Sequence, residues 1–181
     1  RQMCIRDRAR KSCNFTVKGE KGAFLTEHRR CVDSIIAYCN DYVYHGRLLP
    51  KKGNEVKYKS LPSKGYVHIN SYSSPGKTGS RLNRAEAEAI VCWLELEKDN
   101  LEKTYKKPIH EIVAVVTPFK AQEAEIRHQI QKISGNEKYK EMIIGTVHSL
   151  QGAQCPIVLF STVNSPEDFL WSVMENTICS M

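Results

Sequence analysis

Thr146, His148, Ser149, Gln151 and Gly152 follow one another between two apolar segments, Met142 to Ile144 and Ile157 to Val163. Two hydroxyls, an imidazole, an amide and a glycine are thus concentrated in one short connection. A polar loop between buried strands is where α/β proteins carry binding chemistry, at the carboxyl ends of strands. The groups suit phosphate and ribose: Thr146 and Ser149 offer hydroxyls, His148 a ring donor, and Gly152 close approach of the backbone. A polar connection without a ligand is the simpler reading of such a loop, and the order of the residues argues against it.

That order, Gly145-Thr146-Val147-His148-Ser149-Leu150-Gln151-Gly152-Ala153-Gln154, resembles a motor motif of superfamily 1 DNA and RNA helicases. The branch it most resembles contains the nonsense-mediated-decay RNA helicase and its bacterial relatives. Upstream, Ile112 to Val116 followed by Thr117-Pro118-Phe119-Lys120-Ala121-Gln122 resembles the family's strand plus Thr-Pro-Tyr/Phe-x-x-Gln. Leu25-Thr26-Glu27-His28-Arg29-Arg30 is similar to its Leu-x-x-Gln-Tyr-Arg, and Tyr44-His45-Gly46-Arg47-Leu48 to a Tyr-x-Gly-x-Leu stretch that follows. The resemblance runs from about Phe24 to Val163. It implies the second, C-terminal RecA-like domain of such a helicase: an α/β fold of the P-loop NTPase superfamily, with a mostly parallel sheet flanked by helices.

The resemblance also implies roles. ATP and Mg2+ would be held mainly by the first RecA-like domain of the same parent chain, with this domain closing the second wall of the cleft. Arg29 matches the arginine that contacts the γ-phosphate, and a guanidinium suits that task because it is always charged and its fork matches phosphate oxygens. The alternative for Arg29 is a surface salt bridge with a nearby acid such as Glu27. His28 stands where a tyrosine stacks on adenine. Gln151 and Gly152 match the loop linking nucleotide to strand track, and Gln154 replaces a glutamate that accepts a ribose hydroxyl. Thr117, Thr146 and His148 would face the phosphates of single-stranded DNA or RNA, contacts that read no sequence and suit 5′ to 3′ translocation. Local capping is the competing reading of Thr117.

Other chemistries find less support. A phosphate loop needs G-x-x-x-x-G-K-[ST] after a strand; Gly76-Lys77-Thr78 supplies its end, but Ser71 occupies the first glycine position. Glu95-Leu96-Glu97-Lys98 lacks the spacing of a restriction-type nuclease and falls on a helix. His28, Cys31, Cys39 and His45 invite a metal reading, yet Cys39 shares a helical stripe with Val32, Ile35 and Ile36 and reads as core, so no metal site is expected. A non-catalytic α/β module that binds nucleic acid or protein is the main alternative to the motor.

The elements that must position these residues follow from periodicity. Val32, Ile35, Ile36, Cys39 and Val43 predict a helix over about Cys31 to Tyr44. The lysine-rich stretch from Pro50 to Ser63 predicts a loop, Tyr66 to Asn70 a short strand, and Ser71 to Leu82 another loop. Asn83 and Glu86 predict a capped helix start, the helix running to about Leu101 and burying Ala89, Ile90, Trp93 and Leu96. Capping accounts for that pair, so neither is expected to be catalytic. Ile112 to Val116 predicts a parallel strand covered on both faces. Thr117-Pro118 predicts the next helix start with Pro at its first position, the helix burying Phe119, Ile126, Ile130 and Ile133 and ending near Ser134-Gly135.

A chain of 181 residues supports one core. Residues 1–23 read as a tail and 24–181 as the motor domain, with the family's arginine-bearing helix expected to begin near Met181, so the domain is expected to be truncated at both ends. Residues 1–8 resemble translated sequencing-adapter read-through. The net charge is +7 and the pI about 9.0, but residues 1–12 hold five basic side chains against Asp7, so charge supports a polyanionic partner only weakly. No apolar run approaches the roughly 18 residues of a membrane span. Seven cysteines without a C-x-x-C pair speak against a disulfide framework and for a reducing, cytoplasmic setting.

Overall fold

Val113–Val116 is a strand whose four residues are all buried, and it has a parallel neighbour on each side. A computed structural model describes residues 14, 16–17, 20–21, 25–55, 58, 60–76, 79–134, 139–146 and 154–164. They form two units, Arg1–Gly65 and Tyr66–Met181. The chain is mixed α/β, with parallel strands flanked by helices.

In the first unit, β1 (Thr16–Val17) and β2 (Glu20–Lys21) pair antiparallel. β3 (Glu27–His28) pairs in parallel with β4 (Leu49–Pro50), and helix α1 (Asp33–Tyr42) connects them. The loop after β4 supplies the start of α1: Asp33 N–H donates to the Gly53 carbonyl at 3.1 Å and Ser34 N–H to Asn54 Oδ1 at 2.9 Å. These are donors a helix start leaves over. α1 is shorter than expected, and Cys39 is exposed rather than core. Ile36 and Asn40 are its buried residues, and Ile35 and Val43 are exposed. An amide therefore occupies the buried face in place of the thiol. Asn40 accepts the Leu48 N–H at 2.8 Å and donates to its carbonyl at 3.0 Å, fixing the return to β4. The turn between them has His45 at φ 52° and Gly46 at φ 72°, which explains the glycine.

The second unit carries the larger core. Tyr66 to Asn70 is not a strand: Tyr66 is 94% exposed, and no neighbour pairs with this stretch among the described residues. Alternation alone does not make a strand without a partner. Within the expected loop, β5 (Ser74–Pro75) and β6 (Arg81–Leu82) form a small hairpin. Gly76 packs so tightly there that a Cβ would lie 2.7 Å from the Ser80 carbonyl and 2.8 Å from Ala121 Cβ, so its glycine is structural.

Helix α2 (Arg84–Tyr105) is capped by Asn83, whose side chain accepts the Glu86 N–H. It buries Ala87, Val91, Leu94 and Leu101; Ala89, Ile90 and Trp93 are half-buried, and Leu96 is exposed. Ala89 to Leu94 is apolar at nearly every position, so its periodicity does not choose a face and packing does. The short helix α3 (Ile109–Ile112) takes Ile112 away from the strand and leads directly into β7 (Val113–Val116). Helix α4 (Lys120–Ser134) begins two residues beyond Pro118, so that proline precedes the helix instead of opening it. Ile126 and Ile130 are buried, Phe119 is half-buried, and Ile133 at the last turn is exposed. β8 (Ile144–Gly145) and β9 (Ile157–Phe160) flank β7 in the order β8-β7-β9, all parallel. β9 alternates half-buried and exposed residues, with Val158 and Phe160 outward, as on a sheet edge covered on one face.

Candidate functional site

Arg29 directly follows β3 and lies in the first unit. Its Nη2 and Nε donate to the same Glu27 oxygen, Oε2, at 2.9 and 3.1 Å. Both side chains are largely exposed, 70% for Arg29 and 53% for Glu27. The hydrogen bond from Arg29, its charge, and Lys51 more weakly hold the Glu27 carboxyl below its ordinary value. The guanidinium is thus in an exchangeable surface pair that a phosphate is able to displace.

Half-exposed His28 turns toward Cys31: Nε2 accepts the Cys31 N–H at 3.2 Å and lies 3.1 Å from its Sγ. An acceptor at Nε2 places the proton of the neutral ring on Nδ1. The local turn therefore orients the ring, and burial raises the Cys31 thiol above its ordinary pKa. Among the described residues no group of three or more His, Cys, Asp or Glu is placed to hold a metal ion.

In the second unit, Thr117 and Thr146 come side by side. Val116 and Gly145 are register partners in the β7–β8 pair, and each threonine is the next residue along its strand. The Thr117 N–H donates to the Gly145 carbonyl at 3.0 Å, extending the pairing. Thr117 is fully buried and its Oγ1 accepts the Phe119 N–H at 3.3 Å, so this hydroxyl shapes the turn into α4. Thr146 is half-buried.

Gln154 is exposed and stands three residues ahead of β9, which pairs from Ile157 opposite Val113. It therefore lies toward the amino end of the sheet, a strand length of roughly 13 Å from the threonines at the carboxyl end. Thr146 and Gln154 thus stand toward opposite ends of the sheet. His148, Gln151 and Gly152, together with Ser149, fall outside the described residues. Arg29 and His28 belong to the other unit.

Two residues acquire partners that the sequence did not disclose. Gln122, in the first turn of α4, is fully buried. Its Oε1 accepts the Asn83 N–H at 2.7 Å, and its Nε2 donates to the Asn83 carbonyl at 3.0 Å and to Ser161 Oγ at 3.0 Å. A glutamine at the helical spacing of Ile126 and Ile130 was the available signal. Glu86 does not close a capping box on the Asn83 N–H. Its carboxylate instead accepts the Thr162 and Val163 amides, so capping explains only half of the Asn83–Glu86 pair.

The profile of a family described as an AAA domain matches residues 11–177. A Danio rerio protein described as a probable helicase with zinc finger domain is 24% identical over 147 residues, which cover 78% of this chain. The matched region is 7% of that relative's length.

Proposed function

The chain belongs to the AAA domain family, a helicase-like group of P-loop proteins, and from that premise we infer that it is the second motor domain of an ATP-dependent superfamily 1 helicase or translocase. Its substrate is single-stranded DNA or RNA, tracked 5′ to 3′, and its partner is the first RecA-like domain of the same parent chain. The observation that carries this reading is the separation along the sheet. Thr117 and Thr146 mark the carboxyl ends of β7 and β8, and Gln154 marks the approach to β9 at the other end. A motor needs two sites joined by one segment, so that a change at the nucleotide is felt at the strand.

In this reading Thr146 and His148 touch strand phosphates, while buried Thr117 holds the turn beside them. Gln154 accepts a ribose hydroxyl, His28 lies against the base, and Gln151 and Gly152 couple the two ends. Arg29 leaves Glu27 for phosphate oxygens, a trade between two exposed partners of the same charge. The fit to ATP rests on this exposed guanidinium. Mg2+ is assigned to the first RecA-like domain by the family resemblance. ATP, when bound, supplies the phosphoanhydride whose cleavage releases the closed cleft.

Among the described residues no helix is long and apolar enough to cross a membrane. The described cysteines Cys31, Cys39, Cys92 and Cys155 are free thiols, in keeping with a cytoplasmic protein. The Glu27–Arg29 pair is also what a non-catalytic binding module would show. Arg29→Ala in the parent chain separates the two. The motor loses ATP turnover and keeps nucleic-acid binding; a module shows no ATP turnover that depends on Arg29.

A further inference from the structure

Val163 is a β-branched residue held at φ 66° and fully buried. The other described non-glycine residues at positive φ, His45 and Lys106, are exposed and stand where helices end. A left-handed valine crowds its own Cβ against the backbone, and such a conformation persists only when its surroundings impose it. Here the imposing group is visible. Glu86 Oε1 accepts the Thr162 N–H at 3.0 Å, and Oε2 accepts the Val163 N–H at 2.9 Å.

Glu86 is itself held. Its N–H is bound by Asn83 Oδ1 at 3.1 Å, and Gln122 ties the Asn83 backbone to Ser161. Four segments therefore meet at the end of β9: the Ser71–Asn83 connection, the first turns of α2 and α4, and Ser161 to Val163. Half-burial raises the Glu86 carboxyl above its ordinary value, opposed by the Val163 and Thr162 amides and by Ser161.

We propose that Glu86 is a positioning residue: by gripping two successive amides it locks Val163 in the left-handed turn and so sets the direction in which the chain leaves β9. The consequence for catalysis rests on the motor reading above, in which this domain closes on a nucleotide held by its partner domain. Glu86 touches neither nucleotide nor strand; it acts through the path of the backbone.

Hydrogen exchange in the 181-residue chain tests the grip without reference to ATP. Glu86→Gln keeps the size of the side chain but offers only one carbonyl oxygen. The Thr162 and Val163 amides are expected to exchange roughly tenfold faster, with those of β7 unchanged. Unchanged exchange at both amides overturns the proposal. If Glu86→Gln opens β7 as well, Glu86→Asp is read at the same amides, and wild-type protection in that shortened variant overturns it equally.

In the parent chain, Glu86→Gln is expected to lower kcat for ATP about fivefold with KM unchanged. Adding Val163→Gly should recover kcat, since glycine adopts φ 66° without being held there. A change in KM alone, or no recovery, overturns the catalytic half. A wild-type parent without strand-stimulated ATP turnover sinks the motor reading, while the exchange result still decides the grip.

Discussion

Gln122 and Asn83 are joined as two strands are joined: one side-chain amide satisfies both the N–H and the carbonyl of one residue, at 2.7 and 3.0 Å. Lying 39 residues apart, they bind the start of α4 to the residue that caps α2. Because Gln122 is fully buried, water has no access to replace it. Gln122→Ala is expected to destabilise the chain by about 2–3 kcal/mol, leaving the Asn83 backbone and Ser161 without partners. Urea unfolding measures this, and a loss under about 0.5 kcal/mol would contradict the picture. Gln122→Glu should be worse, since an acceptor then faces the Asn83 carbonyl.

Arg29 has an exposed partner, so its removal should leave stability nearly unchanged. In the parent chain Arg29→Ala is expected to cut ATP turnover by at least about a hundredfold, with Arg29→Lys recovering little because a point charge lacks the fork. Steady-state kinetics beside strand-binding anisotropy checks this. Full turnover in Arg29→Ala removes the arginine from the mechanism.

Glu27 competes with phosphate for the same guanidinium, so Glu27→Gln should lower the KM for ATP, by roughly two- to fivefold. The pH dependence has a definite sign. The folded pKa of Glu27 is depressed by Arg29, so the pairing contributes stability above the unfolded value and is lost as pH falls through the folded one. An NMR titration should place the Glu27 midpoint below 4.5 and return it toward 4.5 in Arg29→Ala. A midpoint indifferent to Arg29 excludes the pairing.

Thiol reactivity should follow exposure. Cys39 and Cys92 are exposed, while Cys31 and Cys155 are half-buried with thiols raised by desolvation. Iodoacetamide at pH 8 is expected to label Cys39 and Cys92 several-fold faster than Cys31 and Cys155, because the thiolate is the nucleophile. Peptide mapping over time reads the order. Early labelling of Cys31 would mean that His28 activates it.

Lys106 ends α2 in a left-handed conformation at φ 54°, exposed, with its N–H on the Glu102 carbonyl at 2.8 Å. Glycine takes that conformation without the Cβ penalty. Lys106→Gly should therefore stabilise the chain by about 0.5–1 kcal/mol, seen as a higher urea midpoint with an unchanged slope. A lower midpoint would show that the lysine side chain matters there.

The sequence by itself determined the elements whose signals are local. Val113–Val116 could only be a strand covered on both faces, since every residue is apolar and three are β-branched. Asn83 was legible as a cap because the bond to the Glu86 N–H spans three residues. A helicase-like P-loop family was legible too, though not its branch, because the order of Thr117 to Gln122 and Thr146 to Gln154 is a property of the chain. Tertiary structure alone decided which face of α2 is buried, since Ala89 to Leu94 is apolar almost throughout and offers no stripe to read. It also decided that Cys39 is exposed while Asn40 is buried, and that Glu86 reaches 77 residues along the chain to Val163. Contacts of that kind depend on which segments the fold brings together. A carboxylate three residues into a helix looks the same in sequence whether it faces water or a strained valine.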